Sequence, residues 1–195
     1  LKIKEILTRG PVGKLVNELK PGDIIATIQG VELTPKVETS KLLNGTVDET
    51  IVITVIPRDA KDPMDVKSRK RYELNPVPRD RLTNLFYERW VSANARQVEK
   101  LSNGKLGYIH IPSMDEAGLD RFVRALYSEN FGKEALVLDV RFNGGGFTHD
   151  QILNYLGARE HTIFQSREGE KGLVLRSYDR KWTKPIILLI NNRSY

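Results

Sequence analysis

Asn143-Gly144-Gly145-Gly146 follows directly on an apolar run, Leu136 to Val140, and Thr148 then opens a helical pattern. Glycine admits positive φ and lets a second backbone or a ligand come close. N–H groups at a helix start point outward without internal partners. Such a turn can bind an anion or stabilise an oxyanion. From the glycines alone, a tight turn without a ligand reads equally well. Two other ligand loops fail on spacing: no Gly-Lys-Ser/Thr follows, as a phosphate loop requires, and Gly146 lacks the glycine three positions on that a dinucleotide fingerprint needs.

Oxyanion stabilisation is acyl chemistry, and acyl chemistry needs a nucleophile. The chain has no cysteine, which removes disulfides, thiolate zinc sites and a cysteine nucleophile. It has no Gly-x-Ser-x-Gly elbow either. Ser194 is the one serine at a predicted strand end near the glycine turn, with turn capping as its competing role. Asp139 and Arg141 flank the strand end and read as a local ion pair that fixes the turn. His110 lies inside a predicted strand and reads as a satisfied core histidine, whereas His149, just past the glycines, is a candidate for lining the cleft. No histidines and carboxylate have metal-ligand spacing, so neither a metal nor another cofactor is expected.

Several elements must hold these residues. Leu106 to Ile111 reads as a strand ending at Pro112, and Ser113 with Glu116 as a capping box for a helix bearing Leu119, Phe122, Val123 and Leu126. Leu136 to Val140 is a strand buried on both faces. Thr148 with Gln151 makes a second capping box, and Gly157 closes a short helix carrying Ile152, Leu153 and Leu156. His161 to Trp182 reads as a polar hairpin or flap around Arg167-Glu168-Gly169, and Ile186 to Ile190 as another buried strand before Asn191-Asn192-Arg193-Ser194-Tyr195. Strand and helix alternate, which predicts parallel strands with ligands at their C-terminal ends. The turns 141–147 and 191–195 both follow such ends and are expected to face one cleft, with Asn143, Asn191 and Asn192 lining it. Upstream, Asp80 to Leu101 reads as a helix with Leu82, Leu85, Phe86 and Trp90 on one apolar stripe, Trp90 being a core anchor.

The first part of the chain is of another kind. Leu1, Ile3 and Ile6 alternate as a strand, Val12, Leu15 and Val16 read as a short helix, and Lys20-Pro21-Gly22-Asp23 turns the chain into a strand with Ile24, Ile25 and Ile28. Pro35 starts a helix with Val37, Leu42 and Leu43 that Gly45 stops, and Ile51, Ile53 and Val55 form a last strand. Residues 58–79 turn to charge and proline and read as a solvated linker. The net charge is +6, and the basic residues gathered between Arg58 and Arg81 are interleaved with Asp59, Asp62, Asp65 and Asp80 and carry no aromatic ladder, so nucleic acid is not the expected partner. No apolar run approaches the roughly 20 residues of a membrane span, and no signal-peptide pattern opens the chain. Leu1 in place of methionine implies a natural start further upstream, and compartment is not legible from it.

The order of residues 1–57, notably LKPGDII and TPKVETSKLLNG, resembles a PDZ domain that lacks its N-terminal side. Such a domain takes a peptide terminus as an added strand. LGYIHIPSM, ALVLDVRFNGGGF and PIILLINNRSY, in this order behind it, resemble the tricorn and C-terminal processing peptidase family of serine peptidases, nearer to the tricorn branch. The resemblance implies an α/β fold: an incomplete crotonase-like core over 80–195, preceded by the incomplete α+β PDZ-like domain and the 58–79 linker. It implies peptide-bond hydrolysis through an acyl-enzyme on protein or peptide substrates, compatible with an oligomer. An N–H of Gly144, Gly145 or Gly146 would form part of the oxyanion hole. The nucleophilic serine would be the residue after Tyr195, which would leave this chain inactive by itself, with Ser194 as the weaker alternative. The base would be a histidine from before the PDZ unit or a lysine beyond the serine. The rival reading is a non-catalytic, PDZ-containing peptide-binding or scaffold protein on the same core.

Overall fold

The computed structural model describes residues 1–15, 18–62, 66–157, 160–165, 167, 169, 172–176 and 181–195. They divide into two compact units, Leu1–Trp90 and Val91–Tyr195.

The first unit is built on β1 (Ile24–Ile28), β2 (Val31–Glu32), β3 (Ile51–Ile56) and β4 (Lys70–Leu74), an antiparallel sheet of order β2-β1-β3-β4. Gln29 and Gly30, both at positive φ, make the two-residue hairpin whose twist matches its strands. Ile51, Ile53 and Val55 of β3 alternate inward and meet Leu19, Ile28 and Tyr72 in one core.

Several sequence expectations change here. Residues 70–74 are a strand and not linker, because Tyr72 faces the core while Lys70, Arg71 and Glu73 stay outside. Charges of this kind are how an edge strand avoids pairing with another chain, and they conceal the strand from a composition reading. The helix expected from Pro35 is only α1 (Thr39–Leu43), and the opening strand is reduced to a bridge between Lys2 and Ile24. Gly13–Leu15 is a single 3₁₀ turn, and Val16 lies outside the described residues.

α2 (Arg79–Leu101) starts in the first unit and ends in the second. Of its expected stripe only Leu85 is buried. Leu82 and Phe86 are exposed, with Arg89 over the Phe86 ring, and Trp90 is half-buried. The second unit holds β5 (Leu106–His110), α3 (Glu116–Ala125), β6 (Ala135–Asp139), α4 (His149–Leu156), β7 (Glu160–Phe164), β8 (Leu173–Arg176) and β9 (Ile186–Leu189). β5, β6 and β9 are parallel, as the alternation predicts, in the order β5-β6-β9, and β7 pairs antiparallel with β8; residues 166, 168, 170 and 171 between them, Glu168 of the expected tip included, lie outside the described residues. Ile109, Ile111, Leu136 and Leu138 pack with Phe122, Leu126, Ile152 and Trp182 as the core.

Both capping boxes are corrected. α3 is capped by Asp115, whose carboxylate accepts from Gly118 N–H at 2.6 Å, while Ser113 Oγ donates to that carboxylate. Thr148 occupies the N-cap of α4 but makes no side-chain cap bond; its hydroxyl is 3.4 Å from Asp115 O. A further difference concerns β9, read from sequence as buried. It is the edge of the sheet, with Ile187 51% and Leu188 56% exposed. Its apolar pattern is that of a strand covered on both faces, yet no element of the described chain lies outside it.

Candidate active site

The C-terminal ends of β6 and β9 carry the two polar turns, and hydrogen bonds tie those turns together. Val140 N–H donates to Leu189 O at 2.9 Å. Phe142 N–H donates to Asn191 Oδ1 at 3.1 Å, Ser194 Oγ to Val140 O at 2.8 Å, and Tyr195 N–H to Asn143 O at 3.1 Å. Segments about fifty residues apart thus form one surface. Phe142 holds φ +62, an uncommon conformation for a bulky residue, and leaves its ring half-exposed beside the turn.

The three glycines are not equivalent. Gly145 (φ +80) lies under the Tyr195 ring, where a Cβ would come within 2.5 Å of Cδ1. Gly146 (φ +139) runs beside Met114, and a Cβ there would meet Met114 O at 2.2 Å. Gly144 has neither a positive φ nor a crowded Cβ direction. Their N–H groups differ as well. Gly144 N–H donates to Pro112 O at 3.0 Å, Gly145 N–H to Asn143 Oδ1 at 2.7 Å, and Thr148 N–H to Met114 O at 2.9 Å. Gly146 N–H has no acceptor among the described residues. Of the three candidate oxyanion donors, it is the one the fold leaves open.

Below the turn lies a buried polar network. Asp139 is 0% exposed on its side chain, and Arg141 grips it with Nε at 2.9 Å, Nη2 at 2.6 Å and its own N–H at 3.0 Å. Tyr108 Oη donates to Asp139 Oδ2 at 2.6 Å and accepts from Asn94 Nδ2 at 3.2 Å. Burial alone would raise the Asp139 carboxyl and is its largest single influence, but the hydrogen bonds from Arg141 and Tyr108 together hold it below the usual range. Burial and the adjacent carboxylate push the Tyr108 phenol far up, while the Asp139 bond raises Arg141. The ion pair read from sequence is present, and Tyr108 is its unforeseen third member. A phenol within the apolar run of β5 and an aspartate within that of β6 were the signals, since buried polar groups seek each other.

The other sequence candidates fall as follows. Ser194 Oγ is engaged in the turn: besides Val140 O it lies 3.2 Å from Asn191 Oδ1 and accepts from Asn191 N–H at 3.0 Å. Asn143 is 1% exposed, so its side chain faces the interior and does not line the cleft; Nδ2 donates to Ile111 O at 2.8 Å. Asn191 uses Oδ1 to accept from Phe142 N–H and Arg193 N–H, and Asn192 is exposed. His149 is exposed at the start of α4, with Nδ1 3.4 Å from Gly146 O. His110 is half-buried, its Nε2 2.8 Å from Arg141 O, and burial lowers its pKa. No group of three or more His, Asp or Glu among the described residues is arranged to hold a metal ion.

Parallel strands thus end in two joined turns, one of them a glycine turn whose Gly146 N–H has no acceptor among the described residues, at the strand ends where ligands of such sheets collect. Residues 105–195 match peptidase family S41. The chain is 36% identical over 148 residues to a tricorn protease homolog of Saccharolobus solfataricus, covering 76% of this chain and 12% of that protein. It is 33% identical over 163 residues to a putative tricorn-like protease C-terminal subunit of Sulfurisphaera tokodaii, covering 84% of this chain and 17% of that one. A crystal structure of the tricorn protease superposes with a TM-score of 0.70 at 26% identity, over 94% of this chain and 16% of its own length. Residues 105–195 are thus a segment of peptidase family S41. Within that family the chain is a tricorn-like segment, spanning well under a fifth of the relatives it matches.

Proposed function

We propose that the chain forms the oxyanion-stabilising part of a serine-type endopeptidase, with 91–195 as part of a crotonase-like core. The observation that carries this reading is the open Gly146 N–H on a turn hydrogen-bonded to the turn 191–195. A serine hydroxyl attacks the scissile carbonyl, a base takes its proton, and the carbonyl oxygen becomes an oxyanion. Collapse expels the amine and leaves an acyl-enzyme that water hydrolyses. In this reading the nucleophile is the serine that the family resemblance puts after Tyr195, and Ser194 serves as a turn cap. One open N–H accounts for half of a two-donor oxyanion hole, and removing one such donor costs about 3–4 kcal/mol of transition-state stabilisation.

The first unit is read as PDZ-like, engaging or gating a peptide substrate. Its four-stranded antiparallel sheet and short helix support this reading, with β4 extending the unit beyond residue 57. Fluorophosphonate labelling of the full-length protein, with hydrolysis of a fluorogenic peptide panel, tests the function. Labelling that tracks hydrolysis is expected. Neither labelling nor hydrolysis from a folded protein refutes it.

A further inference from the structure

Asn143 is the residue whose side chain takes up Gly145 N–H. It is 1% exposed and uses both ends of its amide. Nδ2 donates to Ile111 O, at the end of the neighbouring strand, at 2.8 Å, and Oδ1 accepts from Gly145 N–H at 2.7 Å. Its main chain is committed as well, with N–H to Val140 O at 3.1 Å and C=O to Tyr195 N–H at 3.1 Å. One side chain therefore fixes the glycine turn to β5, while its carbonyl fixes the turn after β9 to the glycine turn.

Two neighbouring donors have acceptors supplied from outside the glycines, Gly144 by Pro112 O and Gly145 by Asn143 Oδ1. With Gly145 N–H taken up by Asn143, Gly146 is the one of the three glycines whose N–H has no acceptor among the described residues. A buried amide satisfied at both ends is also costly to disturb, because each orphaned partner would remain out of water.

We propose that Asn143 is a positioning residue for the oxyanion site: it sequesters Gly145 N–H, presents Gly146 N–H, and holds the turn 191–195 in register with it. This rests on the serine-peptidase reading above. Asn143 touches no substrate, and its effect passes through the backbone.

The test uses the full-length protein. Asn143→Ala is expected to lower kcat about 100-fold, the effect of misplacing a reacting group by about 1 Å, with KM unchanged within about twofold, as expected for an interaction made only in the transition state. Affinity for a peptide aldehyde, whose hemiacetal oxygen needs the same N–H, falls in parallel with kcat. A simple loss of structure would instead lower the active fraction and leave the remaining sites with wild-type affinity for the aldehyde.

A second measurement needs no variant. In the wild type, backbone hydrogen exchange is expected to be slow at Gly145 and fast at Gly146, and equal rates at the two overturn the proposal. Unchanged kcat in a folded Asn143→Ala variant overturns it alone and leaves the peptidase reading standing. A wild type that neither hydrolyses peptides nor reacts with a fluorophosphonate overturns both.

Discussion

Replacing Tyr108 with Phe takes one oxygen from the buried network under the glycine turn. That oxygen donates to Asp139 Oδ2 at 2.6 Å and accepts from Asn94 Nδ2 at 3.2 Å. A hydrogen bond to a charged group contributes about 1.5–3 kcal/mol to stability. The Arg141 hydrogen bonds remain, so Asp139 stays paired, and the expected loss is about 2 kcal/mol, the middle of that range. Urea unfolding followed by Trp182 fluorescence, in a Trp90→Phe background, reads the second unit alone. Trp182 is buried in that unit's core and Trp90 lies in the first unit.

The same substitution in an Asp139→Asn background separates charge from shape. With no carboxylate to hold, the phenol is expected to contribute only about 1 kcal/mol, as a neutral hydrogen bond does, so the cycle should show coupling of about 1 kcal/mol. The acid limb provides a check of sign. Asp139 is held below its usual range in the folded protein, so its contribution is present above the unfolded carboxyl value of about 3.9 and is lost as pH falls toward the folded value. The gap between wild type and Tyr108→Phe should therefore narrow in acid. A cost below about 0.5 kcal/mol, the usual range for a neutral surface change, or the same cost with Asn at 139, would refute the network as described.

Further outcomes follow from single contacts. Gly144→Ala is expected to be tolerated within about 0.5 kcal/mol, whereas Gly146→Ala, driven into Met114 O, should cost about 2 kcal/mol or more and abolish fluorophosphonate labelling; equal thermal stability of the two would contradict the turn geometry. Gly107→Ala would put a Cβ 2.2 Å from Asn130 Oδ1, the acceptor for Tyr108 N–H, and should cost about 2 kcal/mol in the same urea assay. His110 is held below its ordinary value by burial, so its contribution is full above about pH 6.5 and lost as pH falls through that value toward the folded one. Stability of wild type relative to His110→Gln should decline over that window, and a constant difference would refute it. Ile187→Lys, on the exposed edge strand, should reduce light scattering of the 195-residue chain on heating without lowering its urea midpoint.

Strands β1, β3, β5 and β6, helices α2 to α4, the parallel order of the second unit and the Asp139–Arg141 pair are all legible in the sequence. Each follows from local periodicity, turn chemistry or the pairing of neighbouring charges, which need no distant partner. The resemblance in LGYIHIPSM, ALVLDVRFNGGGF and PIILLINNRSY supplied the family. What tertiary structure alone decided is what depends on who sits beside whom. Lys70–Leu74 reads as solvated linker until β3 pairs with it, and Ile186–Ile190 reads as buried although it lies at the sheet edge, because composition reports what a strand can tolerate and not what covers it. Asn143 reads as a cleft residue and Ser194 as a chemical candidate, yet one is interior and the other caps a turn. Three consecutive glycines cannot be told apart by type. Only the acceptors that Pro112 and Met114 bring from another segment, with the Asn143 side chain that Ile111 O holds in place, spend the N–H groups of Gly144, Thr148 and Gly145 and leave that of Gly146 without an acceptor among the described residues.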